Sequence, residues 1–158
     1  MEIRHCFLIL ATLLMLSCDN KTVYDQFDRD FEDSRWVKTD VRQYNFELSE
    51  TNRNYDLVVD FSHIAGFQFG LIPITVELTS PDGKKITEHM LLKIKDEEGN
   101  DRGDCTGDYC DIDEVAFKNI KLQHGKYKVT IANEFDNDYL PNVLGLGLRV
   151  RYSDGLNN

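Results

Sequence analysis

The sequence predicts an all-β protein: an antiparallel β-sandwich or jelly-roll-like domain of about seven strands. Apolar and polar residues alternate in short runs along most of the chain, which is typical of half-buried strands. Turn signals separate these runs at intervals of about 8–12 residues, as in sandwiches and barrels. No long helical period is present, and consecutive strands without crossover helices argue against an α/β fold.

Seven segments show the alternation: residues 43–48, 55–61, 72–78, 86–94, 115–122, 127–131 and 144–152. In the first, Tyr44, Phe46 and Leu48 share one face. In the last, the apolar side chains alternate with Gly145 and Gly147, so a neighbouring backbone or ring has room to approach closely on the glycine face.

Turn residues and prolines divide the strands. Pro81-Asp82-Gly83 predicts a hairpin between segments 72–78 and 86–94. His124-Gly125 separates segments 115–122 and 127–131. Pro73 has no N–H to donate, so it indicates an edge position or a bulge for its strand.

The N-terminus resembles a secretory signal peptide of the lipoprotein type. Arg4 precedes an apolar run that ends at Ser17-Cys18, and polar residues follow. The run is shorter than the roughly 20 residues that span a bilayer. Leu14-Met15-Leu16-Ser17-Cys18 is similar to a bacterial lipobox, which implies cleavage before Cys18 and acylation of that residue. A plain secreted protein and an uncleaved anchor are the less favoured alternatives.

These signals divide the chain into four parts: a signal peptide (1–17), a lipidated cysteine with a tether (18–35), a β-sandwich domain (36–153) and a C-terminal tail (154–158). Removing residues 1–17 leaves 141 residues, enough for one domain with its own core. In the tether, Tyr24, Phe27 and Phe31 are spaced for one or two helical turns, although simple docking of the rings onto the domain is the favoured interpretation.

The charge is strongly uneven. The net charge is −10, and residues 96–114 contain nine acids and one base. An acidic chain is a poor candidate for binding nucleic acid, or anionic lipid as a direct ligand. Cys105 and Cys110 lie in this segment and predict a disulfide in an exported protein, although a redox or nucleophilic cysteine stays open.

The acidic segment is also the one candidate for metal binding. Calcium takes six to eight oxygen ligands, and seven residues are candidates to supply them: Asp96, Glu98, Asn100, Asp104, Asp108, Asp111 and Asp113. The spacing is not that of an EF-hand. A solvated acidic loop braced by the cysteine pair is the favoured alternative, and electrostatic docking to a basic partner is a third.

The sequence favours a non-catalytic protein that needs no cofactor. His63, His89 and His124 show no metal-ligand spacing, and no nucleophile elbow or phosphate loop is present. Phe67 and Phe69 stand between glycines. They are candidates for an exposed tip that stacks on sugars or docks a protein, although their alternation favours the core.

Across nearly its whole length the chain resembles the gliding-motility lipoprotein GldH family. The resemblance rests on the order of its elements: Ser17-Cys18-Asp19, Val23-Tyr24-Asp25-Gln26-Phe27, Trp36-Val37-Lys38, Phe46, Tyr55, Pro81-Asp82-Gly83, Gly125-Lys126-Tyr127, Leu140-Pro141-Asn142-Val143 and Gly145-Leu146-Gly147-Leu148-Arg149-Val150.

This resemblance implies a membrane-anchored, non-enzymatic accessory protein of gliding motility. It also implies a link to the type IX secretion machinery, protein partners in the cell envelope, and a location on a membrane of the envelope, most simply at the outer membrane or the periplasmic face. The rival hypothesis is a lipid-anchored module that binds glycans or depends on calcium, since β-sandwiches often serve that purpose. A third hypothesis, a hydrolase, requires carboxylates clustered in a cleft.

Overall fold

The computed structural model describes residues 21–50 and 52–154. These residues form an antiparallel β-sandwich, which confirms the predicted fold class. The signal peptide (1–17), Cys18 and residues 155–158 lie outside the described residues.

The strands follow one another in the order β1 (Thr22–Asp28), β2 (Arg35–Val37), β3 (Arg42–Leu48), β4 (Arg53–Ile64), β5 (Leu71–Thr79), β6 (Lys85–Lys93), β7 (Asp104–Thr106), β8 (Tyr109–Leu122), β9 (Gly125–Asn133), β10 (Tyr139–Pro141) and β11 (Val143–Tyr152). A short 3-10 helix, Glu32–Ser34, precedes β2. The five-stranded sheet has the order β1-β11-β4-β8-β7 and the four-stranded sheet the order β3-β9-β5-β6. Strands β10 and β2 form a separate pair.

Alternate side chains of both sheets meet in one core. Leu57, Val59 and Phe61 point inward from β4, while Ile74 and Val76 do so from β5. A hydrogen bond reinforces the contact between the sheets, because the buried hydroxyl of Tyr44 on β3 donates to the carbonyl oxygen of Leu146 on β11 at 2.9 Å. All seven predicted strands are present. Six lie within longer strands, and the predicted segment 86–94 is shifted by one residue from β6, Lys85–Lys93.

The first strand corrects the predicted tether. Residues 22–28 lie within the segment 18–35 that the sequence assigns to a tether, yet they pair with β11 as an edge strand. Tyr24 points inward and contacts Phe46, with 5.4 Å between ring centroids. Phe27 points outward over Gly145 and Gly147. Because each face of β1 carries a ring, the spacing of its aromatic residues does not show the period of a strand.

Pro73 corrects a second expectation, since β5 is an internal strand and its pairing with β6 shows no bulge. The carbonyl of Pro73 faces β9 and accepts a hydrogen bond from the Glu134 N–H. Its nitrogen points to the same side, just beyond the last β5–β9 pair, Ile74 with Asn133. The missing N–H therefore removes no bond from either ladder.

The sandwich has two ends of opposite charge. One end, here called the basic end, consists of residues 21–22, 48–50, 52–54, 79–85, 121–126 and 151–154, which contain seven bases and three acids. The other, the acidic end, consists of residues 28–41, 64–71, 94–109 and 134–142, which contain fourteen acids and five bases. The 12 residues of β4 connect the two ends, a distance of about 40 Å at the usual strand rise.

Candidate functional site

The outer face of the five-stranded sheet carries a concave acidic surface, here called the acidic face. Five aspartates surround a cavity of about 410 Å³: Asp25, Asp60, Asp104, Asp111 and Asp113. They lie together because neighbouring strands place them in register. Asp60 on β4 is opposite Asp113 on β8, and Asp104 on β7 is opposite Asp111.

Arg29 and Arg149 both line the acidic face, and Arg149 of β11 forms ion pairs with aspartates of this face. Its Nη2 atom lies 2.7 Å from Oδ1 of Asp60 and 3.8 Å from Oδ2 of Asp113. Burial nevertheless raises the pKa of Asp60 to about 6, and the carboxylates of Asp113 and Asp25 act in the same direction against the effect of Arg149. The acidic face is thus suited to electrostatic contact with positive groups.

Only part of the predicted calcium set reaches this surface. Asp104, Asp111 and Asp113 line the acidic face, whereas Asp96 closes a local turn by accepting the Asn100 N–H at 2.8 Å. Glu98 and Asp108 are exposed on the loops before and after β7. Among the described residues, no three of the six predicted carboxylates bring their oxygens within 4.8 Å of one another.

The two cysteines form a disulfide between β7 and β8. Cys105 and Cys110 are directly opposite, with 4.0 Å between Cα atoms. Their sulfur atoms and an Asp101 oxygen lie within 4.8 Å of one another, but both sulfurs are used in the disulfide bond. Asp101 has a structural role, because its Oδ2 accepts the Gly66 N–H at 2.7 Å and its Oδ1 lies 3.2 Å from Lys95 Nζ. This loop is therefore tied to the β4–β5 connection.

The three described histidines have separate surroundings. His63 is fully buried against Phe61 and Phe67, and its Nδ1 lies 3.0 Å from the Ile64 carbonyl oxygen. His89 pairs with the hydroxyl of Thr75 on β5 at 2.9 Å. His124 is exposed in the β8–β9 turn.

Phe67 and Phe69 belong to an aromatic cluster in and beside the core. Phe67 is buried and Phe69 is half-buried against Phe135, with 4.6 Å between ring centroids. This placement agrees with the core interpretation, and Phe67 and Phe69 do not form an exposed pair of rings for sugar stacking.

The described part of the chain contains no helix with the length and apolar character that a membrane crossing requires.

The model of the family described as "GldH lipoprotein" matches residues 22–150, from the start of β1 to two residues before the end of β11. The chain belongs to the GldH lipoprotein family. Among GldH relatives, the gliding motility lipoprotein GldH homolog of Christiangramia forsetii is 25% identical over 92% of this chain and 93% of its own. The gliding motility lipoprotein GldH of Flavobacterium johnsoniae is 24% identical over 93% of this chain and 95% of its own.

Among solved structures, the infectious bursal disease virus VP2 subviral particle aligns with 87% of this GldH chain and 34% of its own, at a TM-score of 0.40 and 16% identity. Similarity at this level does not inform the function.

Several residues that carry the resemblance to GldH proteins have structural roles. Phe27 covers Gly145 and Gly147, and the indole Nε1 of the fully buried Trp36 donates to the Asp40 carbonyl oxygen at 2.8 Å. The acidic face contains residues that the sequence reasoning missed: Asp25, Asp60 and Arg149. For Asp60 a signal was present, because it alternates with the apolar residues of β4 and so belongs to the outer face.

Proposed function

We propose that this protein is a lipid-anchored, non-catalytic accessory component of gliding motility in the cell envelope, with Cys18 as the acylated residue and a functional link to the type IX secretion machinery. Membership of the GldH lipoprotein family carries the proposal, because two members of this family bear the name gliding motility lipoprotein. The lipobox-like segment that ends at Cys18 supports it independently.

The structure fits a lipid anchor in one specific way. Strand β1 begins at Thr22, four residues after Cys18, and is hydrogen-bonded to β11. A lipid on Cys18 would thus be joined to a folded sheet through very few residues. One acyl chain gives only marginal membrane binding at roughly 0.8 kcal/mol per buried methylene, so stable attachment needs more than one chain.

The acidic end supports a role in binding other proteins of the envelope. It carries fourteen acids against five bases, and its loops are braced by the disulfide and by Asp101. A surface of this charge is complementary to a positively charged protein surface. We infer that envelope partners are contacted there.

The anchor is tested by metabolic labelling with a fatty acid that carries a clickable group. Wild-type protein should take up the label and sediment with membranes, whereas Cys18→Ser should do neither. The matched control is Cys105→Ser with Cys110→Ser, which removes two other cysteines and should keep both properties. Label on Cys18→Ser would contradict the assignment of Cys18.

The motility role is tested by deleting the gene in the host and tracking single cells on a surface. Gliding should stop and return with the wild-type gene, but not with Cys18→Ser. Crosslinking of the lipidated protein in native envelopes, read by mass spectrometry, should recover gliding or type IX secretion components, and Cys18→Ser should lose them. Unchanged gliding in the deletion strain together with no such components would contradict the proposal.

A further inference from the structure

The chain enters the sandwich at its basic end. Thr22 pairs with Arg151, and the Lys21 carbonyl oxygen accepts the Tyr152 N–H at 2.9 Å. Cys18 precedes Lys21 by three residues, and three extended residues span at most about 11 Å. A lipid on Cys18 would therefore hold the basic end within that distance of the anchored residue. This step rests on the proposed function.

In the part of the chain that the structure describes, two lysines of the basic end have no acidic partner. Lys21, Arg53 and Lys84 each form an ion pair with an acid at the same end, at distances of 2.7–3.0 Å. Lys121 and Lys126 are exposed, on either side of the β8–β9 turn, and neither has an ion pair within 4.0 Å among the described residues. Glu47 is opposite Lys126 in the β3–β9 register and Asp82 lines the cavity beside Lys121, but in the described structure neither acid is ion-paired with these lysines. Within the described residues, the two ammonium groups are thus not neutralised by a direct ion pair and can attract an external anion.

The surface between these lysines is apolar in part. Lys126 lines a cavity of about 440 Å³ and Lys121 an adjoining one of about 280 Å³, and the two cavities share Ser80, Pro81 and Tyr127 in their walls. The ring of Tyr127 stacks on Phe46 with 5.3 Å between centroids. Two lysines beside partly apolar cavities are complementary to a phospholipid, in which a phosphate is joined to a hydrocarbon part.

We propose that the basic end is a membrane-contact surface, on which Lys121 and Lys126 bind the phosphates of anionic lipids around the anchor. Lysines near such a surface are attracted over roughly one Debye length, about 8–10 Å, which matches the reach of the anchor. The fourteen acids at the other end are repelled by the same surface. The strands of the sandwich therefore run roughly perpendicular to the membrane, with the acidic end about 40 Å from it at the usual strand rise.

This inference differs from the expectation based on net charge. A net charge of −10 disfavours anionic lipid as a direct ligand, but that conclusion assumes an even distribution. The fold collects a net positive charge at the one end that the anchor holds near the membrane, and local charge decides contact within a Debye length.

The orientation is tested on the full-length acylated protein in vesicles of phosphatidylcholine mixed with anionic phosphatidylglycerol. A fluorophore is attached at Gln123→Cys, at the basic end, or at Glu97→Cys, at the acidic end. A lipid with a spin label on its headgroup quenches fluorophores near the membrane surface. We expect Gln123→Cys to be quenched several-fold more strongly than Glu97→Cys.

Charge reversal separates the lysines from the anchor. Lys121→Glu with Lys126→Glu should reduce the quenching at position 123 to the level seen in vesicles of phosphatidylcholine alone. The matched control is Lys38→Glu with Lys93→Glu, which makes the same change in charge at the far end of the strands and should leave the quenching intact. Thermal unfolding checks that all variants fold.

Failure of this inference is distinguishable from failure of the anchor. Equal quenching at positions 97 and 123 in protein that is acylated and floats with vesicles would overturn the orientation and leave the anchor standing. Unchanged quenching after reversal of Lys121 and Lys126 would overturn the role of the lysines. Protein that carries no lipid and does not float would overturn the proposed function and this inference together.

Discussion

Arg149 and Asp60 form an ion pair across neighbouring strands of the five-stranded sheet, with 2.7 Å between Nη2 and Oδ1. The pair lies on the acidic face, where Asp113 and Asp25 add negative charge beside Asp60. One guanidinium does not offset burial and two neighbouring carboxylates, so the pKa of Asp60 is raised to about 6. Asp60 therefore makes the stability of the folded protein depend on pH.

Replacing Asp60 with asparagine should remove that dependence. The pKa of Asp60 in the folded protein exceeds its ordinary value of 3.8, so its contribution to stability is fully present below about pH 4 and is lost as the pH rises through about 6. The difference between these two pKa values corresponds to at most about 3 kcal/mol in the free energy of unfolding. Relative to wild type, Asp60→Asn should gain stability between pH 4 and pH 7.

Urea unfolding at several pH values from about 4 to 7 measures this effect as the difference between the two curves. The amide oxygen of the substituted side chain retains an acceptor for Arg149, so the comparison isolates the charge. Asp108→Asn is the matched control, because it removes the same charge from an exposed position at the acidic end. Parallel curves for Asp60→Asn and wild type would contradict the raised pKa.

Gly147→Ala should displace β1 from the sheet. A Cβ atom at Gly147 would lie 2.6 Å from Cδ2 of Phe27 and 2.9 Å from the Gln26 carbonyl oxygen. At these distances the ring or the backbone of β1 must shift to make room for the methyl group. A loss of about 1–3 kcal/mol is therefore expected, as for overpacked sites. Thermal unfolding measures the loss, and hydrogen exchange should show faster opening of β1 than of β4.

The control for this substitution is Gly70→Ala. Its Cβ would meet only Lys95 Cβ, at 3.8 Å, which is ordinary contact. This variant should unfold within about 0.5 kcal/mol of wild type. Equal behaviour of Gly147→Ala and Gly70→Ala would show that the Phe27 ring does not lock the strand.

Removal of the disulfide should have a local effect. Cys105 and Cys110 are five positions apart, and a loop that short contributes on the order of 2 kcal/mol in the chain-entropy model. Cys105→Ser with Cys110→Ser should raise hydrogen exchange in β7 and the loop before it, while the amides of β4 and β11 remain protected. Cooperative loss of the whole sandwich would show that the disulfide supports the domain.

The strands of the core were predictable because their two faces differ. Ile72, Ile74, Val76 and Leu78 alternate with residues that face solvent, and this period appears directly in the sequence. Strand β1 was not predicted because its two faces do not differ in this way. Tyr24 faces the core and Phe27 covers glycines on the outer face, so both faces carry rings and no period of two is visible.

The acidic face was predictable only in part. Asp104, Asp111 and Asp113 come from one acidic segment of the sequence, whereas Asp25, Asp60 and Arg149 come from three separate strands. Their meeting depends on the strand order β1-β11-β4-β8-β7 and on register. Local periodicity gives the face of a residue but not its cross-strand neighbour, so the site emerges only from the fold.

Calcium should have little effect on the stability of the domain. Among the described residues, no three of the predicted carboxylates converge within 4.8 Å, whereas calcium needs six to eight oxygens at about 2.3–2.6 Å. Asp96 already accepts the N–H of Asn100. A ligand that binds only the folded state raises the melting temperature. Since the carboxylates do not converge, we expect the melting temperature to differ by less than about 1 °C between excess calcium and excess chelator.

Asp104→Ala with Asp108→Ala is the test variant, and magnesium controls for ionic strength. A rise in melting temperature that calcium causes, magnesium does not, and the double variant abolishes would establish a specific site in the acidic segment.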